Sequence, residues 1–240
     1  MSAGEVELEF MEAFVHTVLY ARSVYPAELF QQRSKYGVSV FQSVHPQINN
    51  YVQRVLTNAQ PLLEAGVATR LIVALKRSNA QQPFETISVD YERRPAGHAH
   101  AHGHEHELGR LEAELGAMLL KVTSDGLARP EAPEDTTFTL LVATRDCTDN
   151  QEHRAALERA LDSNQWILDE QAAAIPAGQG QGQRGAAMDV VGAGGARGGA
   201  AAAAAAAAGG GGGVSARFVK SVRDVAFVGK LAVYVSTAQD

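Results

Sequence analysis

Histidine alternates with small residues in one short segment of this chain, and histidine is a common metal ligand. The sequence GHAHAHGHEHE contains His98, His100, His102, His104 and His106. Zinc sites need ligands fixed in tetrahedral geometry, usually by a scaffold that orients each ring. Alternating Ala, Gly and His supplies nitrogen donors without such a scaffold. We therefore expect a loop with adventitious affinity for divalent transition metals, and we predict no resident metal and no other cofactor.

Motifs of catalytic sites are absent from the sequence. No Ser or Cys stands in a recognisable pattern with His and a carboxylate, and there is no His-Glu-x-x-His helix. The glycines of residues 178–213 lack the Lys-Ser or Lys-Thr end of a phosphate-binding loop. The single cysteine, Cys147, fits a packed thiol better than a nucleophile. Binding is therefore favoured over catalysis, and the alternative is a metal-dependent enzyme built on the histidine run.

Aromatic residues offer a different chemistry, the recognition of a peptide. Trp166 and Leu168 share one face of a short extended segment, NQWILDE, whereas Tyr51 lies on a predicted helix and Tyr25 precedes Pro26. Trp and Tyr bury a large area with few torsions and keep a polar group, which suits a groove that holds prolines and main chain. Each of these residues alone is more often part of a core, so residue type is what favours a site here.

Composition and charge exclude several classes of protein. The chain has 240 residues, 45% hydrophobic and 20% charged, which fits a globular domain. Its formal net charge of −6 gives no overall positive field, so direct nucleic-acid binding is not expected. The single cysteine excludes an intramolecular disulfide and fits a reducing compartment. The N-terminus lacks a secretory pattern, and no apolar run reaches the ~20 residues of a membrane span, so no membrane contact is expected.

Apolar residues recur at helical spacing in four segments. The predicted helices are Glu5 to about Tyr25, a helix opened by His45-Pro46, Leu108 to Val122, and the shorter Gln151 to Leu161. Pro26 is expected to stop the first helix, and Gly66 lies beyond the end of the second. The buried face of the second helix is predicted to consist of Ile48, Val52, Val55, Leu56, Ala59, Leu62 and Leu63. The aromatic-rich residues from Ala27 to Val44 are expected to be a connection that packs on the domain.

Strand patterns follow in the remaining segments. Three predicted strands cover Arg70 to Arg77, Pro83 to Tyr91 and Thr136 to Thr144. The first two flank SNAQQ and should pair as a hairpin. Near the C-terminus, SARFVKSV and VAFVGKLAVYV also read as strands. The order of elements predicts an α+β fold with three main helices packed on an antiparallel sheet.

Residues 172–213 differ in character from the rest, because they consist largely of Ala, Gly and Gln. Such a stretch cannot bury enough side chain to offset its ordering entropy, so we predict a disordered insertion. The chain is then one domain, 1–240, divided into a core at 5–171, the insertion at 172–213 and C-terminal strands at 214–236.

The sequence resembles the HORMA-domain family, from about Glu5 to Leu168 and again from Arg217 to Val235. The resemblance is carried by LYARSVYPAELFQQRSKYGVSV, HPQINNYVQRVL, PLLE, TFTLLVATR and QWILDE. Within that family, the sequence most resembles the branch that supplies the accessory subunit of DNA polymerase zeta, the translesion polymerase. The resemblance implies a C-terminal safety belt, a segment that wraps a partner peptide and pairs again with the sheet.

The same resemblance implies a non-catalytic, nuclear adaptor of translesion synthesis and the DNA damage response. It implies that a proline-containing peptide of the polymerase catalytic subunit is bound by Tyr25, Tyr51, Trp166 and Leu168. It implies that the scaffold polymerase of the pathway is bound by Lys230, Ala232, Val233 and Tyr234. A further candidate partner is an AAA+ ATPase that remodels HORMA domains. Gly116 departs from the family, because relatives carry there an arginine used in pairing between HORMA domains. The alternative within the family is a spindle-checkpoint or meiotic HORMA adaptor that binds other closure peptides.

Overall fold

The structure, a computed structural model, describes residues 3–92, 104–162, 166–169, 187–190, 214–225 and 228–238. The helices are α1 (Ala3–Ala21), α2 (Pro46–Glu64), α3 (His104–Leu127) and α4 (Gln151–Asp162), with a 3-10 turn at Ala27–Leu29. The strands are β1 (Phe30–Lys35), β2 (Val38–Ser43), β3 (Ala68–Arg77), β4 (Glu85–Glu92), β5 (Thr136–Thr144), β6 (Trp166–Asp169), β7 (Ala187–Val190), β8 (Val214–Val225) and β9 (Val228–Ala238). The predicted α+β class is confirmed.

Helix α1 ends four residues earlier than the sequence predicts. Ser23 adopts φ 50°, in the left-handed region that a right-handed helix cannot continue through. The Ser23 N–H donates to the Tyr20 carbonyl and the Val24 N–H to the Leu19 carbonyl, both at 3.0 Å, which is the Schellman pattern. The helix is therefore closed by its own backbone at Ser23, before Pro26 can act.

The connection between the first two helices packs on the domain, as predicted, since Phe30 and Val40 join the main core, and it contains a β-hairpin that the sequence analysis did not predict. Strands β1 and β2 pair antiparallel, with Lys35 opposite Val38. The two turn residues, Tyr36 and Gly37, have φ values of 51° and 68°. Positive φ at both central residues is the requirement of a type I′ turn, whose twist matches that of paired strands.

Helix α2 confirms its prediction in both extent and buried face. It begins at Pro46, whose fixed φ and missing N–H suit the first turn. Its end is closed at Gly66, where φ is 69° and the Val67 N–H donates to the Leu62 carbonyl at 2.8 Å. The buried residues are those of the predicted apolar face: Ile48, Val52, Val55, Leu56, Ala59, Leu62 and Leu63.

The main sheet has the strand order β6-β7-β5-β3-β4-β9-β8. The predicted hairpin is confirmed, since β3 pairs antiparallel with β4, and β5 lies antiparallel on the other side of β3. The helices cover one face, where Leu71, Val73, Leu140 and Val142 join the main core. A smaller buried cluster of Ile72, Ala74 and Leu141 occupies the other face.

The C-terminal strands confirm the predicted return of the chain to the sheet. Strand β9 pairs antiparallel with β4, and β8 pairs with β9 at the outer edge. In this register, Leu231, Val233 and Val235 lie opposite Tyr91, Val89 and Ile87, which are core residues. Since successive residues of a strand alternate between the two faces, the backbone places these three positions on the helix-covered side of the sheet.

One short strand falls within the stretch predicted to be a disordered insertion. Residues Ala187–Val190 form β7, so the prediction is corrected for these four residues. They pair with β5 on one side and β6 on the other, and a strand can satisfy its backbone groups in this way whatever its side chains. The rest of 172–213 lies outside the described residues.

Candidate functional site

Three aromatic rings meet above the first half of β5. The Phe138 ring lies 5.5 Å from the Tyr51 ring at an interplanar angle of 74°, and 6.1 Å from the Tyr25 ring at 89°. Both are edge-to-face contacts, the arrangement that aromatic quadrupoles prefer. All three side chains are half-buried, so each keeps part of its ring surface available to a ligand. We call Tyr25, Tyr51 and Phe138 the aromatic cluster.

Burial changes the chemistry of one of these rings. Loss of solvent raises the pKa of the Tyr25 phenol above its ordinary value of 10.0. At neutral pH the hydroxyl therefore stays protonated, so it can donate a hydrogen bond as well as accept one. A neutral, amphipathic ring of this kind suits contacts with prolines and peptide carbonyls better than recognition of charge.

The edge of β5 that faces away from β3 lies beside the aromatic cluster. The Leu140 main-chain N–H donates to the Tyr51 hydroxyl at 3.1 Å, so at Leu140 the backbone polar groups point to this outer edge. Because these groups alternate in direction along an antiparallel strand, the N–H and carbonyl of Val142 point to the same edge. Strand β7 pairs here, with Val142 opposite Met188.

The remaining two predicted peptide-binding residues lie on β6. Trp166 is buried in the main core with 5% of its surface exposed, and Leu168 is opposite Met188 in the pairing of β6 with β7. Since β7 separates β6 from β5, the two strands are about 10 Å apart, twice the usual strand spacing. The structure therefore brings Tyr25 and Tyr51 together, and places Trp166 and Leu168 across a one-strand gap from them.

The residues predicted to bind a scaffold polymerase all lie on β9, at the opposite side of the sheet. Lys230, Ala232 and Tyr234 are opposite Glu92, Asp90 and Ser88, whereas Val233 is opposite the buried Val89. Successive residues of a strand point to opposite faces. The predicted set is thus divided between the two faces of the sheet, with three members on the face away from the helices.

Phe138 belongs to the site but was missed by the sequence reasoning. The available signal was its alternation with Leu140 and Val142 in TFTLLVAT, which marks the helix-covered face of the strand. Its position near the end of that face, where burial is incomplete, needed the positions of α1 and α2. No pattern in the sequence supplies those.

The cysteine has the character of a structural thiol. Cys147 is buried, and burial followed by the neighbouring Asp146 carboxylate raises the pKa of its thiol, although Arg145 and Arg154 oppose this. A raised pKa lowers the thiolate fraction, and the thiolate is the nucleophile. The geometry therefore agrees with the expectation of a packed thiol.

The metal-like segment lies mostly outside the described residues. His98, His100 and His102 are among residues 93–103, whereas His104 and His106 belong to α3, which begins four residues before its predicted start at Leu108. Glu105 and Glu107 in the first turn favour this earlier start, because acidic side chains stabilise helix N-termini. Within the described part of the chain, no three His, Cys, Asp or Glu side chains come close enough to hold a metal ion. The helices of that part include none with the length and apolar character of a membrane span.

No family model matches the chain. Curated relatives do match it. The human protein "Mitotic spindle assembly checkpoint protein MAD2B" is 32% identical over 169 residues, which cover 70% of this chain and 77% of the human protein. The zebrafish protein of the same name is 33% identical over 143 residues, or 60% of this chain and 66% of that protein. A Drosophila melanogaster protein named "DNA polymerase zeta subunit 2" is 37% identical over 60 residues, covering 25% of this chain and 30% of that protein.

Solved structures share the fold at low sequence identity. A chain of the "Crystal Structure of Mitotic Checkpoint Complex" superposes with a TM-score of 0.64 at 17% identity, covering 98% of this chain and 97% of that one. The Caenorhabditis elegans protein HTP-1 bound to the HIM-3 closure motif gives a TM-score of 0.58 at 8% identity, covering 98% and 89%. At these identities the likeness establishes the fold alone.

Proposed function

Since this chain belongs to the MAD2B family of HORMA-domain proteins, we propose that this HORMA adaptor is a subunit of DNA polymerase zeta. It would have no catalytic activity of its own. Its role would be to clasp a proline-containing peptide of the polymerase catalytic subunit and to connect that subunit to a scaffold polymerase during lesion bypass. The Drosophila relative named as a polymerase zeta subunit supports this choice.

The observation that carries the proposal is the aromatic cluster beside the outer edge of β5. A peptide added to this edge as a strand would pair with the N–H and carbonyl of Val142. Its neighbouring residues would lie against the half-buried rings of Tyr25, Tyr51 and Phe138. Proline has no N–H to leave unpaired and stacks well on aromatic rings, so a proline-containing segment fits this combination.

The path of the chain after α4 supports a clasp. Strands β6 and β7 lie at the β5 edge, whereas β8 and β9 lie beyond β4, at the opposite edge of the sheet. The polypeptide between β7 and β8 must therefore connect one edge to the other. A guest strand on β5 would be enclosed by a segment anchored at both sides of the sheet, which is the arrangement of a safety belt.

A second contact on β9 would connect the guest-bound domain to the scaffold polymerase. The candidate residues are Lys230, Ala232, Val233 and Tyr234, which are separated from β5 by β3 and β4. Two partners could then bind at once without competing for one edge. The nucleus is the compartment that this role requires, and remodelling by an AAA+ ATPase would reopen the clasp.

A spindle-checkpoint or meiotic adaptor is the second candidate. It is favoured by the names of the human and zebrafish relatives and by the checkpoint and closure-motif structures that share the fold. Both candidates use the same edge and differ in the guest peptide. The choice between them therefore depends on which peptide binds.

Fluorescence anisotropy with overlapping labelled peptides of about 20 residues tests the proposal. One set spans the polymerase zeta catalytic subunit of the source organism, and the other spans its checkpoint proteins. We expect the tightest binding within the first set. Tyr51→Ala and Trp166→Ala should each weaken that peptide by about 2 kcal/mol, or roughly 30-fold, if both residues are hot spots.

Phe41→Ala is a matched control for these variants. Phe41 is another half-buried ring, but it lies on β2, in a sheet separate from that of β5, and stacks on the ring of Tyr20 in α1 with the ring centroids 3.7 Å apart. We expect this variant to bind the peptide as the wild type does. Equal affinity of the Tyr51→Ala and wild-type proteins, or tightest binding of a checkpoint peptide, would contradict the polymerase assignment.

A further inference from the structure

We propose that β7 is an internal competitor that occupies the place of the guest peptide, so that the chain regulates access to its own clasp. This inference rests on the proposed function, because it concerns the same edge of β5. It assigns a role to Ala187–Val190, four residues inside a stretch whose composition suggests none.

The sheet order carries the inference. Strand β7 pairs antiparallel with β5 on one side and with β6, the strand of Trp166, on the other. A guest strand bound between the aromatic cluster and Trp166 would need the same gap. Only one strand fits a gap of about 10 Å between two backbones, since neighbouring strands lie about 4.8 Å apart. The guest and β7 therefore exclude each other.

The register shows that β7 pairs with only a short stretch of β5. Its three pairs with β5 join Leu141, Val142 and Ala143 to Asp189, Met188 and Ala187. Because Val142 directs its polar groups outward, the Val142–Met188 pair is the hydrogen-bonded one, and its neighbours are non-hydrogen-bonded pairs. One residue further on, the Leu140 N–H is already taken by the Tyr51 hydroxyl. The ladder stops there.

A guest longer than β7 has an advantage at this edge. It can continue past Leu141 toward Phe138 and lie against the aromatic cluster, where the β7 pairing does not extend. A short segment that pairs only with Leu141–Ala143 gains nothing that β7 lacks. Competition by β7 should therefore prevent the binding of short, weakly pairing peptides and allow the binding of peptides that also contact the rings. The clasp would then select its guests by length as well as by sequence.

The apparent affinity of any guest should equal its intrinsic affinity multiplied by the fraction of molecules in which the edge is free. Met188→Pro removes the one N–H that β7 donates to the Val142 carbonyl, and it disfavours the pairing as a whole. Met188→Ala shortens the same side chain but keeps the N–H, so it is the matched control. Both variants are made in the full chain.

Two measurements are made on the three proteins. Amide hydrogen exchange of Val142 reports the pairing of β7 without any guest, with exchange of the β3 amides as a check on folding. Anisotropy titration with the tightest peptide of the polymerase set reports guest binding. For Met188→Pro we expect faster exchange at Val142 and roughly tenfold tighter peptide binding, and for Met188→Ala neither change.

The outcomes separate this inference from the proposed function. Unchanged exchange at Val142 in Met188→Pro, with β3 still protected, would overturn the role of β7 whatever the peptide does. Faster exchange with unchanged peptide affinity would also overturn it, because β7 would then not compete. Faster exchange with no peptide bound by any of the three proteins would uphold β7 as the occupant of this edge and would count against the proposed function alone.

Discussion

The hydroxyl of Tyr51 accepts a hydrogen bond from the main-chain N–H of Leu140 at 3.1 Å, so a helix side chain satisfies a donor at the edge of the sheet. This bond fixes α2 against β5 at the point where the β7 pairing ends. The same side chain contributes its ring to the aromatic cluster. Tyr51 therefore has a structural role beside its proposed role in peptide binding, and the two can be separated by substitution.

Tyr51→Phe removes the hydroxyl and keeps the ring. The Leu140 N–H then loses its partner, which should lower the free energy of unfolding by about 1 kcal/mol. Peptide affinity should change less than in Tyr51→Ala, because the edge-to-face contact with Phe138 remains. Urea unfolding measures the first effect and anisotropy the second. An affinity loss as large as that of Tyr51→Ala would show that the hydroxyl, and not the ring, binds the guest.

Gly116 allows α3 to approach the β1–β2 turn. A Cβ at this position would lie 2.3 Å from the Tyr36 carbonyl oxygen, a backbone atom that cannot move without distorting the turn. Gly116→Ala should therefore lower the free energy of unfolding by about 1–3 kcal/mol, as overpacking does.

Gly109→Ala is the matched control on the same helix. A Cβ there meets no atom within 4 Å, so the change should stabilise the protein by up to about 1 kcal/mol through helix propensity. Thermal unfolding of the two variants should thus move in opposite directions. A Gly116→Ala protein as stable as the wild type would contradict the close packing of α3 on the hairpin.

Glu85 joins three parts of the fold through buried ion pairs. Its carboxylate accepts from Arg22, just after the end of α1, at 3.0 Å and from Arg129 beyond α3, and its own side chain is 2% exposed. Glu85→Gln removes the charge partner of the buried Arg22 and one of the two carboxylates that pair with Arg129, the other being Asp125. We expect a loss of about 3 kcal/mol in unfolding free energy, whereas Glu92→Gln at the exposed end of β4 should cost less than about 0.5 kcal/mol. Comparable urea midpoints for the two variants would contradict this account.

His16 should make stability depend on pH. Burial lowers the pKa of its imidazole from 6.5 to about 4, and among the described residues neither ring nitrogen has a hydrogen-bond partner. Glu12 lies 3.9 Å from Nε2 and is itself 38% exposed, so it offsets little of the burial. As the pH falls from 6.5 to 4, the unfolded chain takes up a proton that the folded chain does not.

Unfolding free energy should therefore fall by roughly 3 kcal/mol across this interval, and the full contribution of a neutral His16 should be present above pH 6.5. Urea unfolding between pH 4 and pH 7 measures the slope. His16→Gln removes the titrating group and should flatten that part of the profile. An equally steep profile in the variant would assign the acid sensitivity to other groups.

Regular elements with a strong apolar period are those that the sequence predicts well. The predicted bounds of β5, Thr136 to Thr144, are the observed ones, and all seven buried residues of α2 belong to its predicted face. In both segments the local period and the tertiary burial agree. Local pattern is then enough, because it records which side chains the core will accept.

Elements fixed by backbone conformation or by distant partners are not predictable in this way. The strand FQQRSK is largely exposed and shows little alternation, and its hairpin depends on positive φ at Tyr36 as well as Gly37. The Arg22–Glu85 pair joins residues 63 positions apart. Strand β7 exists because two strand edges flank it, which is a property of the assembled sheet and not of the sequence AMDV.

The predicted peptide-binding residues show the same difference between what residue type indicates and what only the folded sheet determines. Residue type alone selected Tyr25 and Tyr51, which share a neighbour in Phe138. The distance of Trp166 and Leu168 from that pair depends on the strand between them, which only the topology reveals. The roles of these residues and of the β9 set in binding stay predictions that the peptide titrations test.

Strand β9 is paired with the whole length of β4, with eight consecutive residues from Glu85 to Glu92 in register with Thr237 to Lys230. On the proposed function, a peptide enclosed by the safety belt could leave only after this long strand pairing opens or after its own end slides out along its length. Its residence time would then follow the rate of local opening and not the strength of its own contacts. Even a modest binder would be retained for long periods, and timely release would call for mechanical work by another protein.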